Sequence, residues 1–344
     1  MIRNSVRFFA AAGLVILLAP VFRASAQQHV PPAPEAQQAP AAAGESAPAQ
    51  GSAEPSAPAP AAPALPTPSP ADFTATSPTK EQVDAFLRAT WGYDDNVIFQ
   101  VQAILKTPVE GVSKVVVYYA DRAGKEKPQG LVFFSLPDGK HIVAGNDVVD
   151  FGINPFAEIR RELQEKADGP YRGSPSKDLE IVEFADFQCP HCKEAQANMD
   201  KLVTDFPKAR VVFQNWPIAS IHPQAASAAG YGICVNKLGG SPAFFQYAAA
   251  VFDGQDGLAT PDGATLTLNS AVAKAGLDPV KIASCASDPQ VKAQVEASVK
   301  LGNDVGVRQV PTLVVNGREL PANTSYDVLK RVVEYQAKFD GIGQ

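Results

Sequence analysis

The sequence predicts an α/β domain interrupted by a helical insertion, with a small α+β domain in front of it. Three observations predict this. The apolar run Leu179 to Phe184 passes directly into Cys189-Pro190-His191-Cys192 and then into a helical pattern, so a strand hands over to a helix. A long block of helical periodicity separates that strand and a second one at Ala209 to Phe213 from a hairpin signalled by Asn316-Gly317. Between Val97 and Val143 short β-branched and aromatic runs alternate with turn residues after a single helix, the pattern of a helix on an antiparallel sheet.

The chain has 344 residues, a formal net charge of −6 and a sequence pI near 5.3, which leaves no basic stripe for nucleic acid. Arg3 and Arg7, the apolar stretch Phe8 to Val21 and Ala24-Ser25-Ala26 follow the charge, core and small-residue order of a secretory signal. Cleavage is expected after residue 26. The apolar core is short of the roughly 20 residues that span a bilayer; a retained membrane anchor is the alternative. No cysteine stands at the cleavage site to carry a lipid. Residues 27–78 are dominated by alanine and proline and hold almost no large apolar side chains, so they are expected to form a disordered spacer, on the order of 40 Å as a flexible coil. A spacer with a free N-terminal end has nothing to space from, which is the argument for the anchored alternative.

The small domain is expected over residues 79–153. Thr79-Lys80-Glu81-Gln82 fits a capping box, followed at helical spacing by Val83, Phe86 and Leu87 and stopped at Gly92. Strands are expected around Val97 to Ala103, Lys114 to Tyr119, Leu131 to Phe134 and His141 to Val143, with turns at Asp121 to Gly124 and Pro137-Asp138-Gly139. Asn154-Pro155 is expected to cap a linker helix carrying Phe156, Ile159 and Leu163 within residues 154–175. By element order and its Pro137-Asp138-Gly139 turn, the stretch from Thr79 to about Lys166 resembles the cystatin-like dimerisation domain and linker helix of the DsbC and DsbG disulfide isomerases. The resemblance implies a homodimer; a packing or substrate-shielding domain without dimerisation is the other reading.

The second domain is expected over residues 176–344. Two thiols one helical turn apart at a helix N-terminus form a redox pair, because unpaired amide N–H groups and the helix dipole stabilise a thiolate at the first cysteine. Cys189 is therefore the expected nucleophile, with the more exposed sulfur, and Cys192 the buried partner that closes the internal disulfide. A two-residue loop constrains little chain entropy, which disfavours a purely structural bond. Pro190 removes a donor and His191 adds a cationic one beside the thiolate; a solvated histidine of little influence is the alternative. Cys234 and Cys285 have neither the spacing nor the company of a zinc site. In an oxidising compartment they are expected to pair, closing a loop worth roughly 4 kcal/mol in the chain-entropy model; a second, regulatory redox pair stays open. Asp288-Pro289 starts a helix to about Asn303 with Val291, Val295 and Val299 on one face.

Phe184-Ala185-Asp186-Phe187-Gln188-Cys189-Pro190-His191-Cys192, taken with Gly306 to Thr312 and Val314-Val315-Asn316-Gly317, resembles the DsbA-like thioredoxin fold over about Ser176 to Phe339. The resemblance implies a cis bond before Pro311, a substrate-binding backbone at Val310 and Pro311, and a buried acid at Glu183 that takes the proton of the deeper thiol. An outward-facing strand glutamate is the equal alternative for Glu183. Relatives often carry a lysine and an acid after the second strand, where this chain has Gln214-Asn215. His222, before Pro223, also matches a common family position, and core or cap contacts account for it as well as catalysis does. Val310 stands where oxidases of the family have valine and isomerases threonine. An isomerase-like front thus meets an oxidase-like site.

The expectation is a periplasmic thiol-disulfide oxidoreductase that gives its Cys189–Cys192 disulfide to reduced or misfolded secreted proteins and is reoxidised by a membrane partner of the DsbB type. The alternatives are an isomerase or reductase kept reduced by a DsbD-type donor, and a soft-metal protein holding Cu(I) through Cys189, His191 and Cys192. No cofactor or resident metal is called for. No glycine-rich phosphate loop, paired-carboxylate site or serine triad rises above background.

Overall fold

The computed structural model describes residues 64–124, 127–322 and 324–343. The expected export signal and most of the expected spacer lie outside them. None of the described helices is long and apolar enough to cross a membrane.

The first sheet has the order β1-β2-β3-β4-β5 and is antiparallel throughout: β1 Val97–Lys106, β2 Ser113–Asp121, β3 Gln129–Ser135, β4 His141–Ala144 and β5 Asp147–Asp150. Helix α1, Lys80–Trp91, opens with the full capping box: Thr79 accepts from the Gln82 amide, and the Gln82 side chain accepts from the Thr79 amide. It lays Val83, Phe86 and Leu87 on Val101, Ile104, Val115, Val117, Phe133 and Ile142. Two features differ from the sequence expectation. His141 to Val143 does not close the sheet, because Gly145, at φ 62°, turns the chain back into β5. The spacer also ends earlier than residue 78. Phe73 packs against this core and bridges to Ile104, the amides of Thr74 and Ala75 donate to the Ile104 carbonyl, and Pro66 O accepts from Gln102 Nε2. One large apolar side chain with a core to enter is enough to anchor the end of an Ala/Pro-rich run.

Helix α2, Ala157–Lys166, connects to the second sheet. Asn154 gives it no side-chain cap; its N-cap residue is Phe156. The linker, expected to be helical within residues 154–175, also contributes the short strand β6, Tyr171–Gly173.

The second sheet has the order β10-β9-β7-β8-β6, with β7 Glu180–Ala185, β8 Arg210–Asn215, β9 Thr312–Val315 and β10 Arg318–Pro321. Strand β7 is central, parallel to β8 and antiparallel to β9. All its residues are buried, as a strand covered on both faces requires. On one face Ile181, Val211, Leu313 and Val315 meet Ala195, Met199 and Leu202 of α3, Pro190–Asp205, and Leu329, Val332 and Val333 of α8, Tyr326–Phe339. On the other, Val182, Phe184, Val212 and Val314 meet Leu163 of α2 and Leu301 of α7, Pro289–Asp304. Between β8 and β9 lie α4, Ala225–Asp253, kinked at Gly240, then α5, Pro261–Lys274, α6, Pro279–Ala286, and α7. This insertion packs Val235, Phe244, Tyr247, Val251 and Phe252 around Phe187, beside the redox pair. The architecture is a thioredoxin-like α/β fold with a helical insertion.

The two parts of the molecule are joined by more than the connecting chain. Arg318 of β10 is 5 % exposed and reaches across to the C-terminal turn of α1: its Nη1 donates to Thr90 O at 2.7 Å and its Nη2 to Ala89 O. Its Nε donates to Gln336 Oε1, and the guanidinium lies 4.3 Å over the Phe156 ring. Tyr335 OH donates to Arg88 O at 2.6 Å. The last carbonyls of a helix have no partner within it; here the other domain supplies the donors.

Candidate active site

Cys189 occupies the N-cap position of α3 in extended conformation, and Pro190 stands at the first helical position, where its missing N–H costs nothing. Cys189 O accepts from the amides of Cys192 and Lys193, which winds the Cys-Pro-His-Cys segment into the first turn. Both sulfurs are thiols. Cys189 is 6 % exposed and Cys192 fully buried, so the first is the reachable one, within a recessed rather than a projecting site.

The Cys189 thiol is lowered to about 6. The largest cause is the hydrogen bond from the Cys192 thiol, opposed by burial, then helped by the amides of Cys192 and His191; the Asp186 carboxylate works against it. Cys192 is pushed in the opposite direction, first by burial and then by serving Cys189 as donor. The His191 imidazole is exposed and places Nδ1 3.1 Å from Glu194 Oε2. Glu194 raises its pKa first, and Cys189 contributes. The imidazole therefore stands at the helix tip with its cationic form favoured, while the leading stabiliser of the thiolate is the second thiol.

The Val310–Pro311 peptide bond is cis, and Val310 O lies 4.0 Å from Cys189 Sγ. Val310 and Pro311 thus sit directly against the nucleophile position. Glu183, on β7, is 1 % exposed and accepts from Gln196 Nε2 at 2.7 Å; the same nitrogen donates to Cys192 O. Burial raises its carboxyl to about 7, with Arg172 and the Gln196 hydrogen bond pulling the other way. Gln214 and Asn215, also buried, end the neighbouring strand. Cys234 and Cys285 are bonded, S–S 2.01 Å, and tie α4 to α6.

Three side chains outside the expected set brace the loop that carries Cys189. Asp186, whose side chain is fully buried, accepts from Gln188 N at 2.7 Å, Ile218 N at 2.8 Å and His222 Nδ1 at 2.8 Å, while its own amide faces Cys192 Sγ at 3.4 Å. Gln188 holds Gln224 N and Leu258 O. Gln255 Nε2 donates to Phe187 O and Cys189 O. An acid at the end of an apolar strand was the available signal for Asp186; nothing local marked the glutamines. Among the described residues no group of three or more His, Cys, Asp or Glu side chains is placed to hold a metal ion.

Residues 165–335 match the family model described as Thioredoxin. The Na(+)/H(+) antiporter NhaA 3 of Salinispora tropica is 27 % identical over 147 residues, 43 % of this chain and 21 % of that protein. The chain therefore spans about a fifth of that relative's length. The probable disulfide bond formation protein D of Bacillus cereus is 24 % identical over 200 residues, 56 % of this chain and 86 % of that protein. The thiol:disulfide interchange protein DsbA of Burkholderia cepacia is 29 % identical over 153 residues, 42 % of this chain and 66 % of that protein. Together with a Cys-Pro-His-Cys helix tip facing a cis-proline across a β10-β9-β7-β8-β6 sheet, these matches show a second domain of thioredoxin type that is similar to the DsbA-like thiol-disulfide oxidoreductases.

Proposed function

We propose that this chain is a periplasmic thiol-disulfide oxidoreductase that donates the Cys189–Cys192 disulfide to reduced secreted proteins. The observation that carries the reading is the asymmetry of the pair: Cys189 is lowered to about 6 at a helix N-terminus, while the buried Cys192 is raised. Stabilising the thiolate stabilises the dithiol form and makes the disulfide form an oxidant.

In the disulfide form, a client thiolate attacks Cys189 Sγ and the Cys189–Cys192 bond breaks. Cys192 leaves with the electron pair and takes up a proton, for which Glu183, titrating near 7, is the nearby donor. A second client thiolate attacks the client sulfur of the mixed disulfide, and Cys189 departs as a thiolate. The client has then lost two electrons and gained one disulfide, and the enzyme is the dithiol. The Val310 carbonyl beside Cys189 offers an extended client segment a backbone acceptor. A membrane partner of the DsbB type would return the pair to the disulfide.

The second reading, an isomerase kept reduced by a DsbD-type donor, draws on the five-stranded front domain, whose outer face leaves Val132 and Phe134 exposed. Thiol trapping of the protein in cells, with the purified protein assayed for oxidation of a reduced unfolded protein, decides between them. A pair found oxidised at steady state supports the donor role. A pair found reduced, with scrambled disulfides corrected but none introduced, supports the second. A mature N-terminus at Gln27 in the periplasmic fraction tests the location.

A further inference from the structure

Asp186 is a buried carboxylate with three donors, and it stands between the redox pair and a second loop. Its Oδ1 fixes the amide of Gln188, one residue before Cys189, and its Oδ2 takes both the Ile218 amide and His222 Nδ1 from the loop that follows β8. Three converging donors are what an acceptor-only anion requires, and they assign the His222 proton to Nδ1. No lysine or arginine pairs with Asp186; His222, with a side chain 16 % exposed, is its one ionisable partner among the described residues. The Asp186 main-chain N–H meanwhile donates toward Cys192 Sγ. Negative charge in this position opposes a thiolate at Cys189.

We propose that Asp186 and His222 are positioning residues that set how oxidising the Cys189–Cys192 pair is: the Asp186 charge opposes the Cys189 thiolate, and the His222 donor tempers that charge. The inference rests on the redox reading given above. It deepens that reading by naming a regulator of the pair's poise outside the Cys-Pro-His-Cys segment. The charged and titratable groups acting on Cys189 are then Cys192, His191 and Asp186. Removing the Asp186 charge favours the thiolate and hence the dithiol. Removing the His222 donor leaves the charge less neutralised and does the reverse. A role confined to holding the loop would loosen both in the same direction.

The experiment equilibrates the full chain with reduced and oxidised glutathione and titrates the Cys189 thiolate by its ultraviolet absorbance, for the wild type, Asp186→Asn, His222→Ala and His222→Asn. If the wild type never exchanges with glutathione, the redox reading itself falls, and this inference with it. Given exchange, Asp186→Asn is expected to lower the Cys189 pKa and shift the equilibrium toward the dithiol by about threefold or more, half a pKa unit. His222→Ala is expected to shift both the other way, and His222→Asn, whose amide reaches as Nδ1 does, to restore the wild-type values. Shifts of the same sign in Asp186→Asn and His222→Ala, or unchanged pKa and equilibrium in either variant with native circular dichroism, overturn the proposal. If Asp186→Asn fails to fold, the His222→Ala shift and its rescue by His222→Asn decide alone.

Discussion

Replacing Cys192 by alanine should cost Cys189 most of its acidity, and by an amount that can be worked out. The Cys192 thiol is the leading reason that Cys189 titrates at about 6, and the next influence, burial, acts the other way. With the thiol gone, the amides of residues 191 and 192 remain to oppose that burial, so the pKa should return to the ordinary thiol value of about 8.5 or higher. At pH 6 the wild type is half thiolate, while a thiol of pKa about 8.5 is ionised to about 0.3 %, a ratio on the order of 150. A less basic thiolate is also a poorer nucleophile, by about tenfold over this interval at a Brønsted slope near 0.45, so the net advantage in alkylation at pH 6 is about tenfold. The assay is the rate of iodoacetamide reaction against pH on the dithiol protein, in which the buried Cys192 stays silent. Cys192→Ser, which keeps a donor, should lie between the two. A Cys192→Ala protein still half-ionised near pH 6 would show that the helix terminus suffices and that the thiol-to-thiol hydrogen bond is incidental.

Other outcomes follow from the same geometry. Because Cys189 is depressed in the folded dithiol form, its contribution to stability is full above the ordinary thiol range and is lost as pH falls through about 6; the disulfide form lacks it. The melting-temperature advantage of dithiol over disulfide protein should therefore shrink over that window, and a pH-independent gap would contradict it. Glu183 has the opposite sign: its raised carboxyl makes ionisation costly, so Glu183→Gln should stabilise the protein above pH 7, by about 3 kcal/mol at most, with the gain gone below about 4.5, as read by urea unfolding. Arg318→Met should destabilise by about 2–4 kcal/mol, since it orphans the Ala89 and Thr90 carbonyls, and should split one unfolding transition into two by calorimetry. Replacing both Cys234 and Cys285 by alanine should cost about 4 kcal/mol while leaving the Cys189 alkylation profile in place.

What could be read in advance was local. The Asn316-Gly317 hairpin was legible because a two-residue turn needs positive φ at both positions, and the chain has 44° and 91° there. The Thr79 capping box and the Asp288 cap were legible because donor and acceptor lie two or three residues apart. The Cys-Pro-His-Cys helix tip was legible for the same reason. Strands β5 and β6 were not. Each is only a few residues long and owes its existence to a neighbouring strand, with β6 pairing to β8 across some forty intervening residues. The same holds at the site: that His191 would share the helix tip could be seen, but that Cys192 would lead it in stabilising Cys189 depends on a thiol-to-thiol hydrogen bond whose geometry the sequence does not display. The role of Arg318 has no local signal, because its partners lie more than 220 residues earlier.

The grip of Gln255 on the carbonyls of Phe187 and Cys189 gives the helical insertion a place in the order of assembly. The loop bearing the reactive sulfur leaves the ribosome long before the side chain that sets its shape, so that sulfur waits unfinished until the far end of α4 has come home. A nascent chain halted before that point would carry both thiols without the side chain that ties down the carbonyls of Phe187 and Cys189.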